Sequence, residues 1–496
     1  MIWCGHQIAR VDAAEEKMSG FKADMERVRR ATPRGARMII RRIREAGGYA
    51  CLVGGCLRDL VLGRTVNDWD LATDLTPEQV TPLFPRVFSV GARFGTLIVP
   101  IGGCVYEVTT FRTESRYVDG RHPERVAFTR SLDDDLKRRD FTVNAMAWAP
   151  GEPEIHDPFG GLADLERRLI RAVGDPVERF REDGLRLMRA VRQAAELDFT
   201  IDPATWDAMR SEAAGIERIA AERVRDELNK ILAVEKPSRG ILLLRDAGLL
   251  ARVLPELVAC DGVTQNRFHA YDVLRHSLYA MDAAPRENLV VRLAALLHDI
   301  GKPETADEHE GQRTFYSHQL IGARKARRIL RRLRYSREES EQVEHLVYHH
   351  MFYYQTEWTD SAVRRFVRSV GLETIPDLVA LRLADMAGNG RKGGDRTPLE
   401  NLLQRVDEVM TRDAALTVKD LAVTGHDLME LGLTPGPGMG RILRALLERV
   451  LDDPSLNAHD SLIDIARELI AAGHHLQPDA HELGRVRSAA DDDSGD

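Results

Sequence analysis

The stretch LVGGCLRDLVLGRTVNDWDLATD (residues 52–74) constrains the fold of this chain more than any other. Its apolar first residues lead into Gly54 and Gly55, and the CLRDLVL that follows has the apolar spacing of a helix that ends at a glycine. This order predicts a strand, a glycine turn, a helix and a second strand. Asp68 and Asp70 are two residues apart on the second strand, so both carboxylates point to the same side.

Two carboxylates on one side of a strand suit Mg²⁺, which binds oxygen ligands and keeps water and substrate phosphates as its other ligands. A pair of such ions about 4 Å apart activates an attacking hydroxyl and stabilises a leaving phosphate. The glycine turn leaves backbone N–H groups free for a phosphate at the start of the helix, and Arg58 lies on its first turn. A lone D-x-D pair is more often a surface turn, but GG-x-x-R-D followed by D-x-D is far more specific.

Composition limits the remaining possibilities. A chain of 496 residues is too long for one hydrophobic core, so we expect three or more domains. The formal net charge of −8 means that a nucleic acid partner must meet a local basic surface, such as RKARRILRRLR (324–334), which could equally be a solvated helix face. The five cysteines form no CxxC pair, so we expect reduced thiols and a cytoplasmic location. No apolar stretch approaches the roughly 18 residues of a membrane span, so we expect no membrane partner.

The motifs around the glycine turn resemble a known family. GGCLRD followed by NDWD resembles the signature of the polymerase-β-type nucleotidyltransferases. The larger pattern is similar to the class II tRNA nucleotidyltransferases (CCA-adding enzymes) and the bacterial poly(A) polymerases. It continues through TTFRTESRYVDGRHPERVAF (109–128), SLDDDLKRRDFTVNAMAW (131–148), REDGLRLMRAVR (181–192) and ERIAAERVRDEL (217–228).

The resemblance implies roles for individual residues of the first site. Gly54, Gly55 and Arg58 would contact the triphosphate, and Asp68 and Asp70 would be the catalytic, Mg²⁺-binding carboxylates. The resemblance also assigns Arg139 to the nucleotide. Glu107 lies where related polymerases have a third carboxylate, although it could equally be an ion-pair partner for Arg112 or Arg139.

The stretch REDGLRLMRAVR places Asp183 and Arg186 three residues apart, which predicts that they share one helix face with Arg189 and Arg192. Taken alone, this stripe would be an ion-paired surface. Cytosine and adenine both present an amino donor beside a ring-nitrogen acceptor, so one carboxylate and one guanidinium suit both bases. Uracil and guanine would leave both side chains unpaired, at about 1–3 kcal/mol each. This matches the motif with which the family selects bases.

Gly184 stands where we expect a proline in the family, and glycine loosens a helix start. The implied reaction is attack by an RNA 3′-hydroxyl on the α-phosphate of CTP or ATP, with release of pyrophosphate. The RNA implied by the resemblance is tRNA. Residues 112–125 match the loop that helps the family switch from C to A addition, which favours an enzyme that adds C.

A second group of residues lies further along the chain. His276, the doublet His298-Asp299 and Asp385 follow the order of an HD-type phosphohydrolase, and LLHDIGKP is the most specific fragment. The resemblance implies that these four bind a divalent transition metal of undetermined identity, and that the domain acts on phosphates at RNA ends. Two further possible ligands and a phosphate contact complete the group: His318, His350 and Lys302. An inactive HD scaffold is the alternative.

The resemblance implies an α+β fold, in which a small polymerase-β-like head with a mixed sheet precedes an all-helical neck and body, an HD domain and a tail. We predict six segments: an extension (1–33), the head (34–160), a neck that binds nucleobase and RNA (161–262), the HD domain (263–395), a helical RNA-binding region (396–480) and a disordered acidic tail (481–496). The alternatives are a CC-adding enzyme, a poly(A) polymerase, a regulatory nucleotidyltransferase with an HD domain, or a non-catalytic RNA-binding protein.

Overall fold

The computed structural model describes residues 25–89, 95–117, 123–265, 269–309, 312–390, 395–412 and 417–476. Most of the predicted N-terminal extension, the centre of the predicted 112–125 loop and the predicted acidic tail lie outside these ranges. The chain forms two compact units, Met1–Val253 and Leu254–Asp496. The finer division into six segments stays a prediction.

The head of the first unit is built on one mixed sheet. Its strands run in the order β3-β4-β5-β2-β1-β8, where β2 and β5 are parallel and the other neighbours are antiparallel. Strands β6 and β7, which follow β5 along the chain, form a separate antiparallel hairpin. The strand bounds are β1 Ala50–Val53, β2 Trp69–Thr73, β3 Phe88–Ser89, β4 Thr96–Ile101, β5 Cys104–Thr110, β6 Arg112–Tyr117, β7 Pro123–Phe128 and β8 Ala147–Trp148.

Residues 52–74, from the first strand to the aspartate pair, fold in the predicted order. Strand β1 is buried throughout, helix α3 begins directly at Gly54, and Gly63 ends it in the left-handed conformation (φ 70°) that glycine adopts without a Cβ clash. Strand β2 follows and pairs with β1. The mixed sheet predicted for the head is therefore confirmed.

The helices of the first unit pack on the sheet and then form the body. Amphipathic spacing explains α2, which buries Ile39, Ile40 and Ile43 on one face. The bounds are α1 Met25–Ala31, α2 Arg34–Glu45, α3 Gly54–Leu62, α4 Pro77–Val80, α5 Leu132–Lys137, α6 Gly161–Glu166, α7 Pro176–Glu182, α8 Leu185–Leu197, α9 Pro203–Ser211, α10 Ala221–Leu232, α11 Pro237–Asp246 and α12 Leu250–Val253.

The second unit is almost entirely helical. Its C-terminal part has its own apolar core, which includes Leu428, Ile442 and Leu462. No helix in the described ranges is long and apolar enough to cross a bilayer. The bounds are α13 Pro255–Val258, α14 Val273–Ala283, α15 Leu289–Leu297, α16 Lys302–Thr305, α17 His318–Arg332, α18 Arg337–His349, α19 Asp360–Val370, α20 Ile375–Gly388, α21 Thr397–Arg412, α22 Gly425–Glu430, α23 Pro437–Asp452 and α24 His459–Ala471.

Two short strand pairs interrupt the helical body that the sequence predicts. Strands β9 (Leu169–Ile170) and β10 (Thr200–Ile201) are parallel, and β11 (Asp307–His309) and β12 (Gln312–Thr314) form a hairpin. Strands of two or three residues are too short for the alternation of apolar and polar residues to be visible in a sequence.

Candidate active sites

The predicted carboxylates of the first site meet at the centre of the mixed sheet. Asp70 on β2 lies directly opposite Glu107 on β5, and Asp68 is the residue before β2. Burial and the neighbouring Glu107 carboxylate raise the pKa of Asp70 from 3.8 to about 6. Burial also raises the pKa of Glu107, which Arg112 partly offsets. Acidic side chains held together in this way fit a divalent cation, whose charge would relieve their repulsion.

The glycine turn brings backbone and cationic groups to these carboxylates. Gly54 has φ +71°, and a Cβ there would lie 3.2 Å from Asp70 Oδ2 and 3.0 Å from Arg139 Nη1, so both groups reach the turn because it has no side chain. Arg139 Nη2 donates to Asp135 (3.2 Å), while its buried Nε has no hydrogen-bond partner among the described residues. Arg139 lines the cavity that also contains Asp70 and Glu107, so its unused N–H group is suited to an incoming nucleotide.

Arg58 lies on the first turn of α3, as predicted, and its side chain is buried and fixed in place. Its Nε and Nη2 donate to the two oxygens of Asp59 (2.9 Å each), and its Nη1 donates to Asn144 (3.0 Å). A Cβ on Gly55 would lie 3.6 Å from Arg58 Nη2, so the second glycine of the turn faces this guanidinium.

A buried carboxylate that the sequence analysis did not select connects these groups to helix α8. Asp140 accepts from Asn144 Nδ2 (3.0 Å) and from Arg189 Nε (2.8 Å). Burial alone would raise the pKa of Asp140, but Arg189 and the Asn144 hydrogen bond hold it well below its usual range. The chain of contacts therefore runs from Arg58 through Asn144 and Asp140 to Arg189. In the sequence, Asp140 is marked only by its position after the two arginines of KRRDF.

The structure corrects the predicted helix face of the base-selecting pair. Asp183 is not in a helix: it has an extended backbone between α7 and α8, and its Oδ1 accepts from the Leu185 N–H (3.0 Å) at the start of α8. Its carboxylate is bound to Arg223 (2.9 Å), a residue that the sequence analysis did not select. Asp183 lies outside both helices, where its side chain satisfies the free N–H of Leu185 at the start of α8.

Gly184 has a packing role that the sequence did not predict. A Cβ at this position would lie 2.6 Å from the backbone oxygen of Gly215, which is closer than side-chain carbons approach backbone atoms. The glycine therefore lets the start of α8 pack against the backbone of a neighbouring 3₁₀ turn (Ala213–Arg218).

The three arginines of α8 are held by different groups. Arg186 donates to the Arg138 backbone oxygen (3.1 Å) and pairs with Glu182. Arg192, further along the helix, binds Glu227 (2.8 Å) and Glu196 (2.9 Å). Arg189 binds Asp140, and its charge interacts with both Asp70 and Asp183. One guanidinium of α8 is therefore bound to Asp140 and is near enough to Asp70 and Asp183 for its charge to act on both.

The second candidate site is a cluster of buried imidazoles and carboxylates around Asp299. The cluster contains two groups of possible ligands that share Asp299. The first group is His276, His298 and Asp299, and the second is His318, His350 and Asp299; within each group the ligand atoms lie within 4.8 Å of one another. In the first group, Asp299 Oδ2 lies 3.4 Å from His276 Nε2 and 3.2 Å from His298 Nε2. In the second, Asp299 Oδ1 lies 3.5 Å from His318 Nε2 and 3.8 Å from His350 Nε2. The two groups thus use different oxygens of one aspartate.

Several contacts orient this cluster. Three of its imidazoles face backbone oxygens through Nδ1 at 2.7–2.8 Å and so direct Nε2 inward, the usual support for metal-binding histidines: His298, His318 and His350. Asp385 Oδ1 lies 3.0 Å from His276 Nε2. Burial lowers the pKa of His350 to about 3, so its imidazole is in the neutral form that binds metals. Lys302, the predicted phosphate contact, is bound to Asp299 Oδ2 (2.6 Å).

Three family matches cover most of the chain. They are the poly A polymerase head domain (residues 50–171), the "Probable RNA and SrmB- binding site of polymerase A" (198–260) and domain 2 of the tRNA nucleotidyltransferases (308–466). The first match spans both the carboxylates of the sheet and Arg139, and the last begins just beyond the His298-Asp299 doublet.

Two relatives match the chain over nearly their whole length. The chain is 34% identical to a CCA-adding enzyme of Limosilactobacillus fermentum, over 88% of this chain and 97% of that protein. It is 38% identical to an A-adding tRNA nucleotidyltransferase of Deinococcus radiodurans, over 80% of this chain and 91% of that protein.

Among solved structures, a CCA-adding enzyme of Bacillus stearothermophilus in complex with CTP is 30% identical to the chain. It superposes with a TM-score of 0.66, covering 88% of this chain and 96% of that one. The predicted resemblance is thereby confirmed: this chain belongs to the family of the CCA-adding enzymes, the nucleotidyltransferases that have a poly A polymerase head domain.

Proposed function

We propose that the protein adds C, C and A to the 3′ ends of tRNA, using CTP and ATP without a nucleic acid template. The observation that carries the proposal is the chain of hydrogen bonds from Arg58 through Asn144 and Asp140 to Arg189, which joins the glycine turn to helix α8. One nucleotide can then contact the phosphate-binding and base-binding groups together. The names of the relatives, most of which are CCA-adding enzymes, support the same conclusion.

The residues of the sheet would hold the reacting groups. Asp68, Asp70 and Glu107 would hold a divalent metal, and we propose Mg²⁺; it would supply charge neutralisation at the attacked phosphate. Backbone N–H groups of the glycine turn and the guanidinium of Arg139 would bind the triphosphate. The fixed positions of these groups would keep the α-phosphate in line with the RNA hydroxyl.

Asp183 would select the base. Each carboxylate oxygen accepts more than one hydrogen bond, so Asp183 can accept an amino N–H from cytosine or adenine while Arg223 holds it in place. Arg186 or Arg189 would donate to the ring nitrogen beside that amino group. Uracil and guanine present the opposite pattern and would leave buried groups unpaired.

Addition of A alone, as in the name of the Deinococcus radiodurans relative, is the second candidate. The presence of residues 112–125 supports C addition, since they match the loop that helps the family switch from C to A addition. The structure describes the two ends of this segment as parts of the β6–β7 hairpin. A homopolymeric product made from ATP would favour a poly(A) polymerase instead.

Replacement of the metal-binding carboxylates tests the reaction. Asp70→Ala should abolish nucleotide addition to tRNA that lacks its terminal CCA, whereas Asp59→Asn, which removes an ion pair of Arg58, should reduce but not abolish it. Full addition by Asp70→Ala at saturating Mg²⁺ would disprove the proposed metal site.

We also propose that the Asp299 cluster is a metal-dependent phosphohydrolase. Two groups of ligand atoms on separate oxygens of one aspartate fit two divalent metals, which would activate water for attack on a phosphate ester. Removal of a terminal phosphate or cyclic phosphate would leave the free 3′-hydroxyl that nucleotide addition requires. His298→Ala should remove hydrolysis of 2′,3′-cyclic phosphates and leave nucleotide addition intact. Hydrolysis that persists in this variant would disprove the assignment.

Two further predictions remain proposals. We infer a cytoplasmic location, because the described cysteines Cys51, Cys56, Cys104 and Cys260 are unpaired. We also infer that the helical region 396–480 contributes to RNA binding, which deletion of this region and measurement of tRNA affinity would test.

A further inference from the structure

Helix α17 carries six arginines and lysines and has no carboxylate of its own in HQLIGARKARRILRR. Three of these cations form ion pairs with glutamates of neighbouring segments: Lys325 with Glu304 (2.6 Å), Arg327 with Glu344 (3.1 Å) and Arg332 with Glu256 (2.5 Å). Half of the positive charge of the helix is therefore neutralised within the second unit.

The other three cations are Arg324, Arg328 and Arg331. All three are exposed, and none has an ion pair or a hydrogen bond from its side chain among the residues that the structure describes. Their spacing of four and then three residues places them in one row on the helix surface, about 10 Å long. The row lies between the paired Arg327 on one side and the paired Arg332 on the other, so only the middle of the exposed face lacks anionic partners.

The stability of the fold does not explain this row. Like charges four residues apart on a helix repel, so Arg324 and Arg328 destabilise the free protein. Cations in the last turn of a helix gain from the partial negative charge of its end, but that turn contains Arg331 and Arg332 and not the earlier pair. The row thus has a net cost that an external anion would remove.

We propose that Arg324, Arg328 and Arg331 bind the sugar-phosphate backbone of tRNA. The inference rests on the proposed function, because that reaction makes tRNA the polyanion that the protein must hold. A guanidinium forms paired hydrogen bonds with phosphate oxygens, and a rigid helix keeps the three groups in line. Contacts with the backbone carry no sequence information, so the row would serve every tRNA alike.

This surface is separate from the Asp299 cluster. Arg324 lies six residues beyond His318, about 9 Å along the helix axis, and the row continues away from the cluster. Because the chain has a formal net charge of −8, a row of this kind also supplies the local positive surface that a nucleic acid partner requires.

The salt dependence of tRNA binding tests the proposal. The probe is tRNA that lacks its terminal CCA, and its binding to the full-length protein is measured by fluorescence anisotropy over a range of salt concentrations. The double variant Arg324→Gln/Arg328→Gln removes two phosphate contacts, so the slope of log affinity against log salt should become shallower by about 1.4–1.8. In about 0.1 M salt its affinity should fall by about tenfold or more.

A second double variant of the same helix is the matched control. Arg327→Gln/Arg332→Gln changes the net charge by the same amount, but these side chains are already bound to Glu344 and Glu256. It should change the slope by less than half as much. An unchanged slope and affinity in Arg324→Gln/Arg328→Gln, or equal losses in the two double variants, would overturn the inference.

Thermal unfolding separates binding from folding. Arg324→Gln/Arg328→Gln should unfold at the same temperature as the unmodified protein or slightly above it, because two repelling charges are removed. Unfolding at a clearly lower temperature would show that the row stabilises the fold and would overturn the inference.

Nucleotide addition separates this surface from the proposed function. In Arg324→Gln/Arg328→Gln the KM for tRNA should rise by about tenfold, while kcat and the KM for CTP should not change. If the protein binds tRNA through the row but adds no nucleotide, the proposed function fails and the surface stands. If it adds nucleotides and the variant has an unchanged KM for tRNA, the surface fails and the proposed function stands.

Discussion

Replacement of Asp70 by asparagine should stabilise the metal-free protein. Burial and the neighbouring Glu107 raise the pKa of Asp70 from 3.8 to about 6, so the fold favours its neutral form. The resulting stability is complete below the ordinary pKa and is lost as the pH rises through about 6. At about 1.4 kcal/mol for each pKa unit, the ionised carboxylate costs about 3 kcal/mol at neutral pH, and solvent near the half-buried side chain reduces this to about 1–3 kcal/mol. Asparagine keeps the shape and removes the charge.

The assay is thermal unfolding in a metal chelator at two pH values. At about pH 7.5, Asp70→Asn should unfold about 3–9 °C above the unmodified protein, and the difference should shrink toward zero near pH 4. Asp68→Asn should give a smaller rise, because Asp68 is exposed and only adds to the repulsion on Asp70. Saturating Mg²⁺ should reverse the order, since only the carboxylate gains from the ion. The reasoning would be refuted if Asp70→Asn were no more stable than the unmodified protein in chelator at pH 7.5.

Three further predictions follow from the contacts. Asp183→Ala should keep metal-dependent turnover but lose its preference for CTP and ATP over UTP by about tenfold or more, measured with single nucleotides; an unchanged preference would contradict the base-selection proposal. Gly184→Ala should lower stability by about 1–3 kcal/mol, because its Cβ would lie 2.6 Å from the Gly215 oxygen; denaturant unfolding would show it, and a neutral effect would mean that this packing is not required. Asp299→Asn should abolish hydrolysis of cyclic phosphates and keep nucleotide addition, and a parallel loss of both activities would show that the sites are not separable.

Local patterns predicted the elements that carry the first site. The strand, glycine turn and helix around Gly54 depend on neighbours in sequence, and the two-residue spacing of Asp68 and Asp70 depends only on strand geometry. The order of His276, His298 and Asp299 also led to residues that the structure brings into one buried cluster. These predictions needed no knowledge of how distant segments pack.

The groups that sequence reasoning missed depend on distant contacts. Asp140 becomes a link between Arg189 and Asn144 only because α8 packs beside it, and Arg223 reaches Asp183 from α10. Asp183 left the predicted helix because its side chain caps the start of α8, which helix spacing alone cannot show.

The most direct test of the account is to sequence the products that the protein makes on tRNA lacking its last three nucleotides, in the presence of all four nucleoside triphosphates and Mg²⁺. We expect product molecules that end in CCA, without incorporated U or G. Products extended only by A, a homopolymer, or a mixture of all four bases would contradict the claim that Asp183 and the arginines of α8 select the base beside the carboxylates of the sheet.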